Sequence, residues 1–349
     1  MTPPVPAREG SRRPSLSIAI VKLSALGDVI HALPVARALR RHLPEATLTW
    51  IVEAREQAIL RDHPDIDRVI PVDTRRWRRL LRTPAGAREV WEKLGRLRTR
   101  VRHARFDVAV DLQGLAKSGF LTLYSRAPLR IGFARSHCRE LNWLFTNHHV
   151  TPPPRAVHVV DQYLSLLSPL GVPATPAEFH VPVRPKADRC MADFLGEHGV
   201  KSTDRIVALN PGAGRPEKRW PVAHFRALAE RLGTEGEARV LLLWGPDEIH
   251  MARQIGDELS TRPLLAPPTD LDELAALLRR CSLMVANDTG PLHLAAALGT
   301  PALGLFGPTR AARNGPYGPR CRGLQSPDST MAALSPDTAF TAARALLEP

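Results

Sequence analysis

Short apolar runs rich in β-branched residues alternate along this chain with longer stretches in which apolar residues recur every three or four positions. In the first half the runs predict strands at 17–23, 47–53, 68–72, 107–112 and 129–133. Helices are expected at 28–43, where Val29, Ala32, Ala36, Leu39 and Leu43 share one face, and at 56–61, 87–103, 114–125 and 159–170. The rhythm then repeats, with strands at 206–209, 239–244, 283–286 and 302–306 and helices at 222–232, 248–259, 272–281, 292–298 and 337–347. Strands separated by helices pair in parallel through crossovers, so the pattern predicts an α/β chain with two doubly wound, Rossmann-like domains. The 349 residues suit two domains of roughly 150 to 200 each. Prolines at 152–154, 173, 176, 182 and 185 break the rhythm in the middle. The expected division is a disordered extension at 1–15, a first domain at 16–172, a linker at 173–200 and a second domain at 201–335. A last helix within 336–349 is expected to pack back on the first domain.

Composition narrows the class. No apolar run approaches the roughly 18 to 20 residues of a membrane span, and the Pro- and Arg-rich start does not resemble a secretory signal, so a cytoplasmic protein is expected. Cys138, Cys190, Cys281 and Cys321 are widely spaced without a zinc pattern, which implies free thiols in a reducing compartment. The net charge of +13 favours polyanions: nucleic acid, an anionic membrane surface or an acidic glycolipid. It is densest at Arg75-Arg76-Trp77-Arg78-Arg79. Aromatic content of 5% and the lack of helix-turn-helix, zinc or ribonucleoprotein patterns argue against nucleic acid.

Two strand-to-helix turns carry the candidate chemistry. Asp288-Thr289-Gly290-Pro291-Leu292-His293 follows one apolar run and opens another. Pro291 suits a first helical turn, whose N–H groups and dipole favour an anion, and Gly290 admits a ligand closely. A similar turn, Ser24-Ala25-Leu26-Gly27-Asp28, follows the first strand. Two such turns suggest two nucleotide folds facing a shared cleft. A dinucleotide-dependent oxidoreductase is disfavoured because no Gly-x-Gly-x-x-Gly follows the first strand.

Further segments complete an ordered set: residues 22–31 (Lys-Leu-Ser-Ala-Leu-Gly-Asp-Val-Ile-His), 70–72 with the 75–78 arginines, 111–118 (Asp-Leu-Gln-Gly-Leu-Ala-Lys-Ser), Lys218-Arg219-Trp220-Pro221, Trp244-Gly245 and 287–293. In this combination the chain resembles the ADP-heptose:lipopolysaccharide heptosyltransferases of glycosyltransferase family 9, two-domain GT-B enzymes. Within that family the arginine patch and the 111–118 segment resemble the type I branch, which makes the first heptose transfer. The resemblance implies an inverting transfer of L-glycero-D-manno-heptose from ADP-heptose to the Kdo residue of Kdo2-lipid A, without a metal or other cofactor. Types II and III, another family 9 transfer and a non-enzymatic polyanion binder remain alternatives.

On the same resemblance Asp28 matches the general base, although an Asp there also caps a helix well. Lys218 matches the donor-phosphate lysine, with Arg219 able to share its work, and its alternative is a solvated loop lysine. Asp288 is expected to contact heptose hydroxyls, Thr289 and Gly290 the diphosphate, and His293 to complete that turn. Glu248 aligns with the ribose carboxylate if one gap is allowed, with Asp247 as the fallback. Ala213 and Gly214 stand where the enterobacterial type has threonines and Thr269 where it has a methionine; the Gly212, Ala213 and Gly214 N–H groups remain suited to phosphate. The acceptor is expected to meet Arg75, Arg76, Arg78, Arg79, Gln113 and Lys117, with Arg135 or Arg139 as additions, because Arg pairs bidentately with carboxylate and phosphate. Trp77 suits either a sugar or the core. Asp65-Ile66-Asp67 is discounted as a metal motif because it lies far in sequence from the donor turn. The arginines and apolar residues near Ala85 or Leu121 are expected to hold the protein peripherally on the anionic inner leaflet.

Overall fold

The computed structural model describes residues 15–236, 238–257 and 259–348, so the extension expected at 1–15 lies, except for Ser15, outside the described residues. The first half contains β1 (Ser17–Val21), α1 (Leu26–His42), β2 (Thr47–Glu53), β3 (Arg68–Val72), α2 (Thr74–Leu80), α3 (Pro84–Ala104), β4 (Val108–Asp111), α4 (Ala116–Tyr124), β5 (Leu129–Phe133), β6 (His148–Val150) and α5 (Val159–Ser165). The second contains α6 (Pro185–Glu197), β7 (Arg205–Asn210), α7 (Val222–Thr234), β8 (Ala238–Leu242), α8 (Ile249–Gly256), β9 (Leu264–Leu265), α9 (Leu271–Arg279), β10 (Leu283–Asn287), α10 (Gly290–Ala297), β11 (Ala302–Phe306), α11 (Ala311–Asn314), β12 (Cys321–Gln325) and α12 (Pro336–Leu347).

Each half builds one six-stranded sheet, ordered β3-β2-β1-β4-β5-β6 and β12-β11-β10-β7-β8-β9. Every pairing is parallel. Counted from its own first strand, the second sheet repeats the order of the first. In both, the order reverses beside the first strand, and ligands of open α/β sheets bind at the carboxyl ends of the strands flanking that reversal. The turns after β1, β4, β7 and β10 are therefore where chemistry belongs, and the motifs at 22–31, 111–118, 218–221 and 287–293 fall on them, whereas the arginine segment follows β3 and Trp244-Gly245 follows β8. The central strands are buried on both faces, which explains their unbroken apolar runs.

Two expectations are corrected. The segment expected as a linker at 173–200 contains α6, whose Ala187, Met191 and Leu195 are buried at a spacing of four. It packs on α9, where Asp188 pairs with Arg280 and Arg279. The last helix, α12, does not return to the first half. Its Ala339, Phe340, Ala342 and Ala343 join the core under α7, β10 and β11. The Trp220 indole N–H donates to the Leu334 carbonyl at 2.8 Å, and the Arg231 guanidinium lies 3.9 Å from the Phe340 ring, fixing α12 there.

Candidate active site

The turn after β1 is braced by the turn after β4. The Gln113 side-chain oxygen accepts the N–H groups of Leu23 at 3.0 Å and Ser24 at 3.2 Å. Gln113, expected as an acceptor contact, thus has that oxygen engaged in shaping the first turn. Its own turn is set by buried Asp111, which accepts from the Gln113 and Gly114 N–H groups and the Asn142 amide. Burial raises the Asp111 pKa and those hydrogen bonds oppose the rise. Gly114 takes a φ of +69°, the left-handed region that glycine enters without a Cβ penalty.

Asp28 is the third residue of α1. Its carboxylate accepts the Ala25 N–H at 3.2 Å, yet 42% of the side chain stays exposed. Capping and access to a ligand therefore coexist. Lys22 approaches the carboxylate at 3.9 Å from inside the protein and donates to the Tyr163 hydroxyl at 2.6 Å. Burial lowers the Lys22 pKa, while Asp28 and Asp111 pull it back up.

In the second half, Asp288 follows β10 and gathers three groups: Lys218 Nζ at 2.5 Å, the Thr309 hydroxyl at 2.8 Å and His293 Nε2 at 3.3 Å. Burial alone would raise its pKa, but the His293 and Lys218 contacts prevail and hold the carboxyl well below the ordinary range. Asn287, fully buried, ties three segments together. Its side-chain oxygen accepts the Trp220 N–H, and its NH2 group donates to the carbonyls of Pro211 and Gly212. The 211–214 turn, the Lys218–Trp220 segment and the head of α10 are thereby one unit, to which Asn210 adds a 3.3 Å bond to the Thr289 hydroxyl. Ala213 is buried and its carbonyl accepts from Arg219, so this turn offers backbone rather than hydroxyls.

Glu248 reaches the same turn. It accepts the Gly245 N–H at 3.2 Å and lies 3.7 Å from Arg219. It presses on Gly212 so closely that a Cβ there would stand 1.9 Å from its Oε2. Asp247 is exposed with a φ of +65°, so Glu248 is the carboxylate brought to the glycine turn. Thr269 is half-buried between β9 and α9, in the segment that Trp244 tethers through the Ala266 carbonyl.

The two halves meet where their turns meet. A Cβ on Gly27 would lie 2.4 Å from the His293 ring, and one on Gly290 would lie 2.7 Å from the Leu26 side chain. The His293 ring centroid is 4.2 Å from that of His31, which is 5.2 Å from that of His158. His158 in turn bonds the Gly315 carbonyl at 3.0 Å. Burial depresses the pKa of both His31 and His158, with His293 adding to the effect on each. The Asp28 turn and the Asp288 turn, 260 residues apart in sequence, are joined through one histidine ring.

The arginine segment forms α2, capped by Asp73, whose carboxylate accepts the Arg76 N–H. Trp77 packs into the core beneath it. Arg75 lies close enough to influence Lys117 and Glu56. Lys117 extends to Glu53 at 3.8 Å and to the Ser24 hydroxyl at 3.4 Å, next to the Asp28 turn. Arg76 instead turns to Glu89 on α3 at 2.9 Å, while Arg78 and Arg79 are exposed. Arg135 lies over the Trp143 ring, and the Arg139 N–H donates to the Gly114 carbonyl. Asp65 and Asp67 diverge into separate contacts, the first with Arg37 and His180, the second with Arg40 and the Leu48 N–H. Among the described residues no His, Cys, Asp and Glu group has the arrangement of a metal site.

Thr309, Asn210, Glu53 and Tyr163 carry no signal in the sequence, because an isolated Thr, Asn, Glu or Tyr has no spacing to mark it, whereas Asn287 opens the 287–293 motif. Lys22 and His31 did sit inside the first motif.

Residues 94–342 match the model of glycosyltransferase family 9 (heptosyltransferase). The chain is 32% identical to lipopolysaccharide heptosyltransferase 1 of Pseudomonas aeruginosa over 87% of its own length and 82% of that protein's. It is 27% identical to the type 2 enzyme of Escherichia coli over 84% and 83%. A family 9 glycosyltransferase structure from Veillonella parvula superposes with a TM-score of 0.81 at 25% identity, covering 95% of this chain and 97% of that one. The E. coli heptosyltransferase WaaC with ADP superposes with a TM-score of 0.77 at 26% identity, covering 93% and 98%.

Proposed function

From its membership of glycosyltransferase family 9, the heptosyltransferases of lipopolysaccharide core biosynthesis, we propose that this chain transfers heptose from ADP-heptose to the Kdo residue of Kdo2-lipid A. The observation that supports the reading is the closeness of Gly27 to His293, which brings the turn bearing Asp28 in the first half against the Asp288–His293 turn at the head of α10 in the second.

The acceptor hydroxyl attacks the anomeric carbon in line with the departing ADP, so one displacement inverts the configuration. Asp28 takes the hydroxyl proton; its exposed carboxylate, held by the Ala25 N–H, suits that work. As the bond to the diphosphate breaks, charge grows on the leaving oxygen. On this reading the N-terminus of α10 and Lys218, which pairs with Asp288 here, oppose it, a stabilisation that increases toward the transition state. We read the transfer as metal-independent because these fixed positive groups serve the role a divalent cation would otherwise fill. Asp288 stays ionised, so it accepts hydrogen bonds from heptose hydroxyls while His293 and Thr309 orient it. Glu248 takes the ribose, and the 212–214 N–H groups take phosphate. Lys117 and Arg75, near the Asp28 turn, receive the Kdo carboxylates; Arg78 and Arg79 are free of core packing to meet lipid A phosphates.

The test is transfer of radiolabelled heptose from ADP-heptose to defined acceptors. Labelling of Kdo2-lipid A but not of its heptosylated product supports this assignment. Labelling only of the heptosylated product makes the protein a type II enzyme, and no labelling of either overturns the reading.

A further inference from the structure

A second surface feature lies away from these turns. On α3, Trp91, Arg98 and Arg102 follow one another at seven and four residues, a spacing that puts them on one stripe of the helix. Phe120, Leu123 and Tyr124 of α4, together with Arg126, close against the Arg98 end of that stripe around a cavity of about 280 Å3. The apolar groups here are uncovered: Trp91 is 73% exposed, Leu123 45% and Phe120 43%. The Tyr124 hydroxyl bonds the Leu94 carbonyl at 3.0 Å and Phe120 stacks on Tyr124, so the two helices present one fixed face. Leu121, near which the sequence places apolar lipid contacts, is itself buried, and the exposed apolar groups beside it are Phe120 and Leu123.

We propose that this α3–α4 face docks on an anionic lipid bilayer. Charge complementarity commits it to that partner. Beside Trp91, Glu92 pairs with Arg88 at 3.6 Å and Glu89 with Lys93 at 2.9 Å; beyond them, from Lys93 to Phe106 and from Leu112 to Arg139, the chain carries basic side chains and no acidic one. Arg98, Arg102 and Arg126 are all exposed around the cavity. A Trp and a Phe set among arginines suit the headgroup boundary, where aromatic rings sit in the interface and guanidinium groups meet phosphates. Leu123 offers a nucleic acid nothing to stack on, which separates this face from a base-reading one. Phe120 is less than one helical turn beyond Lys117, so docking holds the Lys117 end of α4 at the membrane surface. The use of this geometry rests on the lipid-anchored acceptor proposed above; the binding itself does not.

The full chain is mixed with vesicles of phosphatidylcholine alone or containing phosphatidylglycerol, and flotation is measured. The wild-type chain is expected to float with the anionic vesicles only and to be released by high salt. Replacing Arg98, Arg102 and Arg126 by Gln weakens binding about fivefold per side chain, roughly a hundredfold together. Replacing Trp91, Phe120 and Leu123 by Ser weakens it at least about tenfold. All six side chains are exposed, and both variants retain wild-type transfer to a water-soluble, delipidated acceptor. Quenching by bromolipids of the fluorescence that Trp91→Phe removes gives a second readout that needs no multiple variant. Wild-type chain that ignores anionic vesicles, or variants that bind as wild type does, overturn the proposal. So does a dimer that Trp91→Ser dissociates, since a second copy then covers the face. Vesicle binding without transfer to any acceptor refutes the catalytic reading and leaves this one standing.

Discussion

Asp28→Asn separates catalysis from capping at a single atom. The amide keeps the size of the carboxylate, and its oxygen accepts the Ala25 N–H that Asp28 accepts now at 3.2 Å. The cap therefore survives. What disappears is the charge, which faces Lys22 at 3.9 Å with the Asp28 side chain 42% exposed. Lys22 is buried while the carboxylate is half-exposed, so losing this contact costs more than a surface pair would, about 1 to 2 kcal/mol. Lys22 keeps its 2.6 Å bond to the Tyr163 hydroxyl, so it is not left without a partner. The melting temperature is expected to fall by no more than about 4 °C. Loss of a positioned general base reduces turnover about 10²- to 10⁴-fold, roughly 3 to 5 kcal/mol in activation free energy. The assay is kcat for radiolabelled heptose transfer, with ADP binding by calorimetry and thermal unfolding on the same preparation. ADP affinity should match wild type, because the proposed nucleotide contacts come from the other half. Turnover within about threefold of wild type would refute the assignment and leave Asp28 as a cap.

Gly212→Ala places a Cβ 1.9 Å from the Glu248 carboxylate and must displace it. Losing the proposed charge-assisted contact to the ribose should weaken ADP binding about 10- to 100-fold, as should Glu248→Gln; unchanged affinity in both variants would move the role to Asp247. His31 and His158 have pKa values depressed by burial, so the unfolded chain takes up their protons first. Their contribution to stability is complete above the ordinary His value of about 6.5 and is lost as pH falls through the lower folded-state values. His31→Gln should flatten the decline in melting temperature between about pH 7 and 5, and a wild-type protein whose melting temperature does not fall there would contradict this account.

Where the chain is apolar and regular, the sequence was enough. The central strands follow their β-branched runs because both faces of each sheet are covered, and Pro291 marks the head of α10 as expected. What escaped reading has identifiable causes. In α2 the run Arg75-Arg76-Trp77-Arg78-Arg79 has no apolar period, and the helix is held by the Asp73 cap, by Trp77 packed against the core and by the Arg76–Glu89 pair with α3. Edge strands β6 and β12 are short and mostly polar or exposed, so neither alternates clearly. Prolines obscured α6, yet Pro185 sits in its first turn, where a missing N–H does no harm. The apolar stripe of α12 was legible, but a stripe does not name the surface it covers. At the site, the residue types at both turns were readable, whereas the Gly27–His293 contact depends on packing between segments 260 residues apart.

That contact also limits how such proteins can be shuffled. Neither Gly27 nor Gly290 has space for a larger side chain, since each is filled by a group from the opposite half. A hybrid that takes its amino-terminal portion from one parent and its carboxyl-terminal portion from another, spliced at 173–184, would inherit the two turns separately. Such hybrids should work when both parents carry glycine at these two positions with compatible rings and aliphatic groups facing them, and should fail otherwise even if each portion folds. The pair behaves as a single heritable unit divided between distant stretches of the chain.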